Sequence, residues 1–97
     1  MKDNQDYLNI LRKLKQEPNK SQRDLSGDLS MSLGKLNYCL LSLKKKGLIK
    51  IRNFKNSKNK LSYAYILTPK GLSLKTKLTL NFMKKKIKEY DELKKDL

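Results

Sequence analysis

Ser21-Gln-Arg-Asp-Leu-Ser-Gly-Asp-Leu-Ser-Met-Ser-Leu-Gly-Lys-Leu-Asn-Tyr-Cys-Leu-Leu-Ser-Leu-Lys-Lys-Lys-Gly47 is the stretch on which the reading of this chain turns. It holds two helical patterns end to end. Ser21 opens the first: its hydroxyl can accept from free amides of the first turn, and Asp24 suits the positive end of the helix. Leu25 and Leu29 repeat at i, i+4, and Ser30-Met-Ser32 then offers a new cap at once. From Ser32 to about Lys46, Leu33, Leu36, Leu40 and Leu43 share one narrow arc, with Cys39 at its margin. Lys44-Lys-Lys46 sits where the helix dipole favours cations, and Gly47 supplies a left-handed stop.

Upstream, Tyr7, Leu8, Ile10, Leu11 and Leu14 mark one apolar helix face, which Pro18 brings to an end. Downstream the period changes from helical to alternating. Leu48-Ile-Lys-Ile-Arg52 and Leu61-Ser-Tyr-Ala-Tyr-Ile-Leu67 read as strands, and the polar Asn53–Lys60 between them as a connecting loop with a basic tip. Thr68-Pro69 restarts a helix, with the proline where its missing amide costs nothing, although Gly71 weakens that first turn. No later proline or glycine interrupts the chain. Leu80, Met83, Ile87, Tyr90 and Leu97 keep a 3-4 spacing, with Lys94 in one seam position.

Helix, short helix, tight turn, helix, hairpin, long helix is the order of a mainly α protein with a two-stranded β-wing. It predicts a winged helix-turn-helix over residues 1–70 and a C-terminal dimerisation helix over 71–97. The chain has 97 residues, enough for one small hydrophobic core. No apolar run approaches the length needed to span a membrane, and residues 1–6 do not resemble a secretory signal. A single cysteine leaves no intramolecular disulfide and no cysteine-based metal site. With no histidine, the commonest general base and metal ligand is missing as well. The expectation is a cytoplasmic binding protein: no enzyme, no cofactor, no metal and no membrane partner.

Charge names the partner class. Lys and Arg number 24 against 9 Asp and Glu, a formal charge of +15. Between Asp28 and Glu89 there is no carboxylate side chain, yet sixteen basic residues occur there. A surface charged for solubility alone mixes its signs, so the asymmetry reads as a footprint for phosphates. Lysine outnumbers arginine 21 to 3, as coding from an AT-rich genome would produce, but such a bias does not remove acids.

On the third helix, with Leu36 turned inward, the opposite side holds Gly34, Tyr38, Leu41 and Lys45, flanked by Lys35 and Ser42 on one edge and Asn37 on the other. With the cap Ser32, these are the candidate DNA-reading residues: Asn37 for adenine, Lys35 for guanine or phosphate, Gly34 for close approach. Leu41 either touches thymine methyls or packs on the wing or on another subunit. In the wing, Arg52, Lys55, Lys58 and Lys60 are candidate phosphate contacts, and Asn53 and Asn56 order the turn. Leu80, Met83, Ile87 and Tyr90 are the candidate dimer contact, the competing reading being a face packed on the first helix of the same chain. Cys39 reads as a small buried filler.

Several stretches resemble one family. Ser21-Gln-Arg-Asp-Leu25, Ser32–Leu40, Asn53–Lys60 and Tyr65-Ile-Leu-Thr-Pro-Lys-Gly71 are similar to the small MarR-type regulators associated with exopolysaccharide gene clusters, over about residues 7–93. The resemblance implies a homodimeric transcriptional regulator bound to double-stranded DNA. Ser30 stands where that family's turn usually has glycine, and Gly27 lies inside a helix where alanine or a long polar residue is usual. A winged helix that binds RNA or an acidic protein partner is the alternative.

Overall fold

The structure is a computed structural model that describes residues 4–55 and 61–97, with side chains described for 4–53 and 63–97. Six elements follow in chain order: α1 (Asn4–Gln16), α2 (Gln22–Leu29), α3 (Leu33–Lys45), β1 (Ile49–Lys55), β2 (Leu61–Leu67) and α4 (Pro69–Lys95). The apolar face read from α1 is buried in full, from Tyr7 to Leu14. It meets Leu25 of α2, then Leu36, Cys39, Leu40 and Leu43 of α3, and Leu48, Ile49 and Tyr65 at the sheet. Each leucine or isoleucine withdrawn from water in this core contributes about 2 kcal/mol, so the three helices and the hairpin hold together as one head.

The helix ends follow from local chemistry. Ser21 accepts a hydrogen bond from the Asp24 amide, and Ser32 accepts one from the Lys35 amide, both at 3.1 Å. Thr68 does the same for the Gly71 amide at 3.1 Å, with Pro69 in the first turn of α4. At their C-termini α2 and α3 stop in the same way. The Met31 amide returns to the Ser26 carbonyl and the Ser30 amide to that of Gly27; in α3, Leu48 returns to Leu43 and Gly47 to Lys44. This paired pattern needs a left-handed residue at its centre. Gly47 fills it at φ 73°, whereas Ser30 fills it at φ 51° with a side chain that prefers other conformations. The tight turn therefore takes the same form as the stop at Gly47 without a glycine.

β1 and β2 form an antiparallel pair in register from Ile49 opposite Leu67 to Lys55 opposite Leu61. The first strand runs three residues beyond the expected end at Arg52. Asn53, Phe54 and Lys55 belong to it although their composition reads as loop, because ladder hydrogen bonds from β2 outweigh weak local propensity.

Gly71 has a steric task. A Cβ placed there would lie 1.9 Å from the Leu48 carbonyl oxygen, so the first turn of α4 presses directly on backbone at the start of the wing. Leu78 is buried in the core and Leu74 and Phe82 pack against it. α4 thus crosses the expected 70/71 boundary without a break, its first half belonging to the head. Its second half projects: from Met83 onward every residue is exposed, and the molecule measures 59 Å against 26 and 23 Å.

Candidate nucleic-acid interface

α3 is held by its inner side and one edge. Leu36, Cys39, Leu40 and Leu43 face the core. Along the edge that carries Lys35 and Ser42, the first two turns of α1 lie close. Lys35 Nζ is 2.9 Å from Asp6 Oδ2, Ser42 Oγ is 3.2 Å from Tyr7 Oη, and Lys46 Nζ stands over the Tyr7 ring at 5.3 Å from its centroid. Ser42 is half-buried on the edge where it was expected, and its hydroxyl is engaged with Tyr7 instead of being offered to DNA: it joins α3 to α1. Lys35 remains exposed, with Asp6 as its ion partner. Neither contact is visible in the α3 sequence alone, because Asp6 and Tyr7 arrive through tertiary packing.

The remaining arc is open. Gly34, Asn37, Tyr38, Leu41, Lys44 and Lys45 are all exposed. Tyr38 is 64% exposed and Leu41 55%. A Cβ at Gly34 would meet no atom within 4 Å, so nothing inside the chain requires glycine there. Ser32 is exposed with its oxygen engaged at the cap. Lys44, expected only as a cation suited to the helix dipole, is exposed in the last turn beside Asn37's edge and joins the open arc.

The hairpin carries exposed cations of its own. Cross-strand partners share a face, so Lys50 with Ile66 and Arg52 with Ala64 lie on one side of the sheet. Asn53, paired with Tyr63, lies on the other with Ile51 and Tyr65. Arg52 and Asn53 therefore look in opposite directions. Lys50 is an exposed cation that the sequence reading missed, though its alternation with Ile49 and Ile51 was a signal for it. The Lys55 backbone pairs with Leu61; its side chain, and Asn56, Lys58 and Lys60, lie outside the described residues.

Two acids of the head, Glu17 and Asp28, are paired with lysines, whereas Asp24 in the first turn of α2 is exposed. Lys13 and Lys20 bracket Glu17 at 2.9 and 3.3 Å, and both also meet Asp28, joining the end of α1 to α2. Glu17 Oε2 is shielded from water, and the two ammonium groups satisfy it by ion contact rather than by a well-angled hydrogen bond. The Lys13 ammonium beside it holds the Glu17 carboxyl below its usual range, and hydrogen bonding from Lys20 does the same for Asp28. The Lys13 and Lys20 ammonium groups are raised in return. Among the described residues no carboxylate lies within ion-pair reach of Lys44, Lys45, Lys50 or Arg52. The cations of the open arc of α3 and of the Arg52 side of the wing therefore keep their charge uncompensated by ion pairs among the described residues, which favours a polyanion there.

The architecture is that of a winged helix-turn-helix, with α2 and α3 as the two helices of the motif and β1–β2 as the wing. Residues 8–50 match a family described as winged helix-turn-helix DNA-binding. In sequence, no curated protein matches at a significant level. Three solved structures show the likeness of fold. A MarR family transcription regulator superposes with a TM-score of 0.68 at 22% identity, over 91% of this chain and 64% of its own. ZitR, a zinc-responsive MarR family member from Lactococcus lactis, gives 0.69 at 22% identity, over 94% of this chain and 60% of its own. MepR, a transcription regulator of the Staphylococcus aureus multidrug efflux pump MepA, gives 0.67 at 19% identity, over 93% and 63%. The chain spans less than two thirds of the length of each.

The four residues of the expected seam, Leu80, Met83, Ile87 and Tyr90, are all exposed. Packing of this face onto α1 is overturned, because Leu74, Leu78 and Phe82 on the other side of α4 take that place.

Proposed function

We propose that this chain is a sequence-specific, homodimeric transcriptional regulator of duplex DNA, acting in the cytoplasm without catalysis of its own. The observation that carries the reading is the open arc of α3: a helix held firmly on one side and bare on the other, beside cations with no carboxylate partner. The major groove of duplex DNA admits a helix of this kind. Asn37, Tyr38 and Leu41 read bases, while Lys45, Arg52, Lys55, Lys58 and Lys60 bind phosphates, and Ser32, Gly34 and Lys35 approach the backbone at the start of the helix. Asn53 and Asn56 order the wing. Residues 1–70 supply most of the DNA-binding head, and the exposed stripe of α4 within 71–97 joins two copies. Two heads bind a roughly palindromic site. The resemblance to regulators of exopolysaccharide gene clusters makes such a cluster the first place to look for the operator.

Selection of bound duplexes from a random pool at fixed salt, followed by titration of the selected site, tests this. One sequence is expected to be preferred over random DNA. With three or four of these five cations engaged on phosphates at a time in each half, log K should fall against log salt with a slope of about −5 to −7. Asn37→Ala or Tyr38→Ala should erase preference, and Lys45→Ala or Arg52→Ala should weaken all duplexes alike. Indifference to duplex sequence, or displacement by RNA in preference to DNA, refutes the reading.

A further inference from the structure

We infer that the exposed stripe of α4 pairs with the same stripe of a second copy in antiparallel orientation, with Ile87 against the partner's Tyr90. This rests on the homodimer reading and adds to it an orientation and a register. The stripe lies on the solvent side of α4, roughly 140° around the helix from Leu78 and Phe82, so the head does not obstruct it. Ile87 is 58% exposed and Tyr90 64%, with Leu80 and Met83 half bare above them. Such a stripe on a projecting helix needs cover, and the charges along it say which cover fits.

In heptad terms Leu80, Ile87 and Lys94 occupy the first core position and Met83 and Tyr90 the fourth. A parallel pair stacks like on like, which sets Lys94 against the partner's Lys94 inside the seam with no acid between them. An antiparallel pair stacks first positions on fourth. Lys94 then meets the partner's Met83, along which its apolar stem can lie while the ammonium reaches water. On the flank, Lys84 comes opposite the partner's Asp91, and the two-fold axis repeats the pair. Among the described residues neither Lys84 nor Asp91 has an ion partner within the chain, whereas Lys86 is already beside Glu89 at 3.4 Å. Sliding the register by one heptad one way brings Lys84 against the partner's Lys84; sliding it the other way brings Asp91 against the partner's Asp91. One register alone is complementary in both core and flank.

Cross-linking of the full chain tests it. Ile87→Cys and Tyr90→Cys are made separately in a Cys39→Ala background, mixed, and oxidised at low concentration. Mass spectrometry is expected to find the mixed disulfide at least about tenfold above either symmetric one. Lys84→Glu should weaken self-association about fivefold, and Asp91→Lys in the same chain should restore it. Symmetric disulfides at parity with the mixed one overturn the orientation. So does a dimer by sedimentation that forms no cross-link at either position, and in both cases the homodimer reading survives. A monomer at all concentrations refutes both.

Discussion

The two halves of α4 both carry apolar residues at helical spacing, but they lie in opposite surroundings and the outer half is far richer in charge. From Pro69 to Phe82 the side built of Gly71, Leu74, Leu78 and Phe82 lies on the head, and from Met83 onward every residue is exposed. The helix carries two apolar stripes, and only one meets its own core. The difference teaches that helical spacing identifies a sticky face but not its occupant. A stripe at 3-4 intervals is compatible with cover from inside the chain or from outside it.

The sharpest way to break the inner half is Gly71→Ala. Its Cβ would be forced against the Leu48 carbonyl, which is backbone and cannot swing away. A loss of about 3 kcal/mol in urea unfolding is expected, and a loss under about 1 kcal/mol would show that α4 can lift from the wing freely. Leu78→Ala should cost about 2 kcal/mol by the same measurement, because the residue is buried and α4 is pinned at Gly71, so the site cannot collapse fully. Ile87→Ala, in the outer half, should leave unfolding of the dilute monomer unchanged yet weaken self-association about tenfold by sedimentation, or about 1.4 kcal/mol. If Ile87→Ala instead unfolds the monomer, the two halves are not distinct.

Two smaller effects sharpen the contrast from the side of the head. Ser30→Gly relieves a left-handed serine in the turn between α2 and α3 and should raise the head's stability by about 1 kcal/mol without altering self-association. The smallest effect is on pH. Glu17 and Asp28 titrate below their ordinary range when folded, so the stability they lend is complete above about pH 5 and is lost as pH falls through the lowered folded values. Lys13 and Lys20 are raised, so their share is present below about pH 10 and lost as pH rises through the raised values. Asp28→Asn should flatten the acid limb in thermal melts, modestly, because these groups are partly exposed and solvent screens them.

Some of this was legible at once. The caps at Ser21, Ser32 and Thr68, the stop at Gly47 and the apolar faces of α1 and α3 are local, decided by hydrogen bonds and by the helical period within a few residues. Gly71 was legible only as a weak helix residue; its reason is a carbonyl twenty-three residues earlier in the chain. Lys35 and Ser42 sit at the expected angle on α3, but nothing in residues 32–46 says that α1 lies along that edge. The strand through Asn53–Lys55 was hidden for a similar reason, since a ladder is made by its partner.

The order of the sequence alone decided the elements, the winged architecture and the excess of cations on the half of the chain that lacks acids. It could do so because propensity, capping and net charge act at short range or by simple addition. Tertiary packing alone decided which edge of α3 remains bare, which lysines keep their charge unopposed, and which of the two stripes on α4 is left for another molecule. Those outcomes depend on distances between residues far apart in the chain, and periodicity carries no information about such distances.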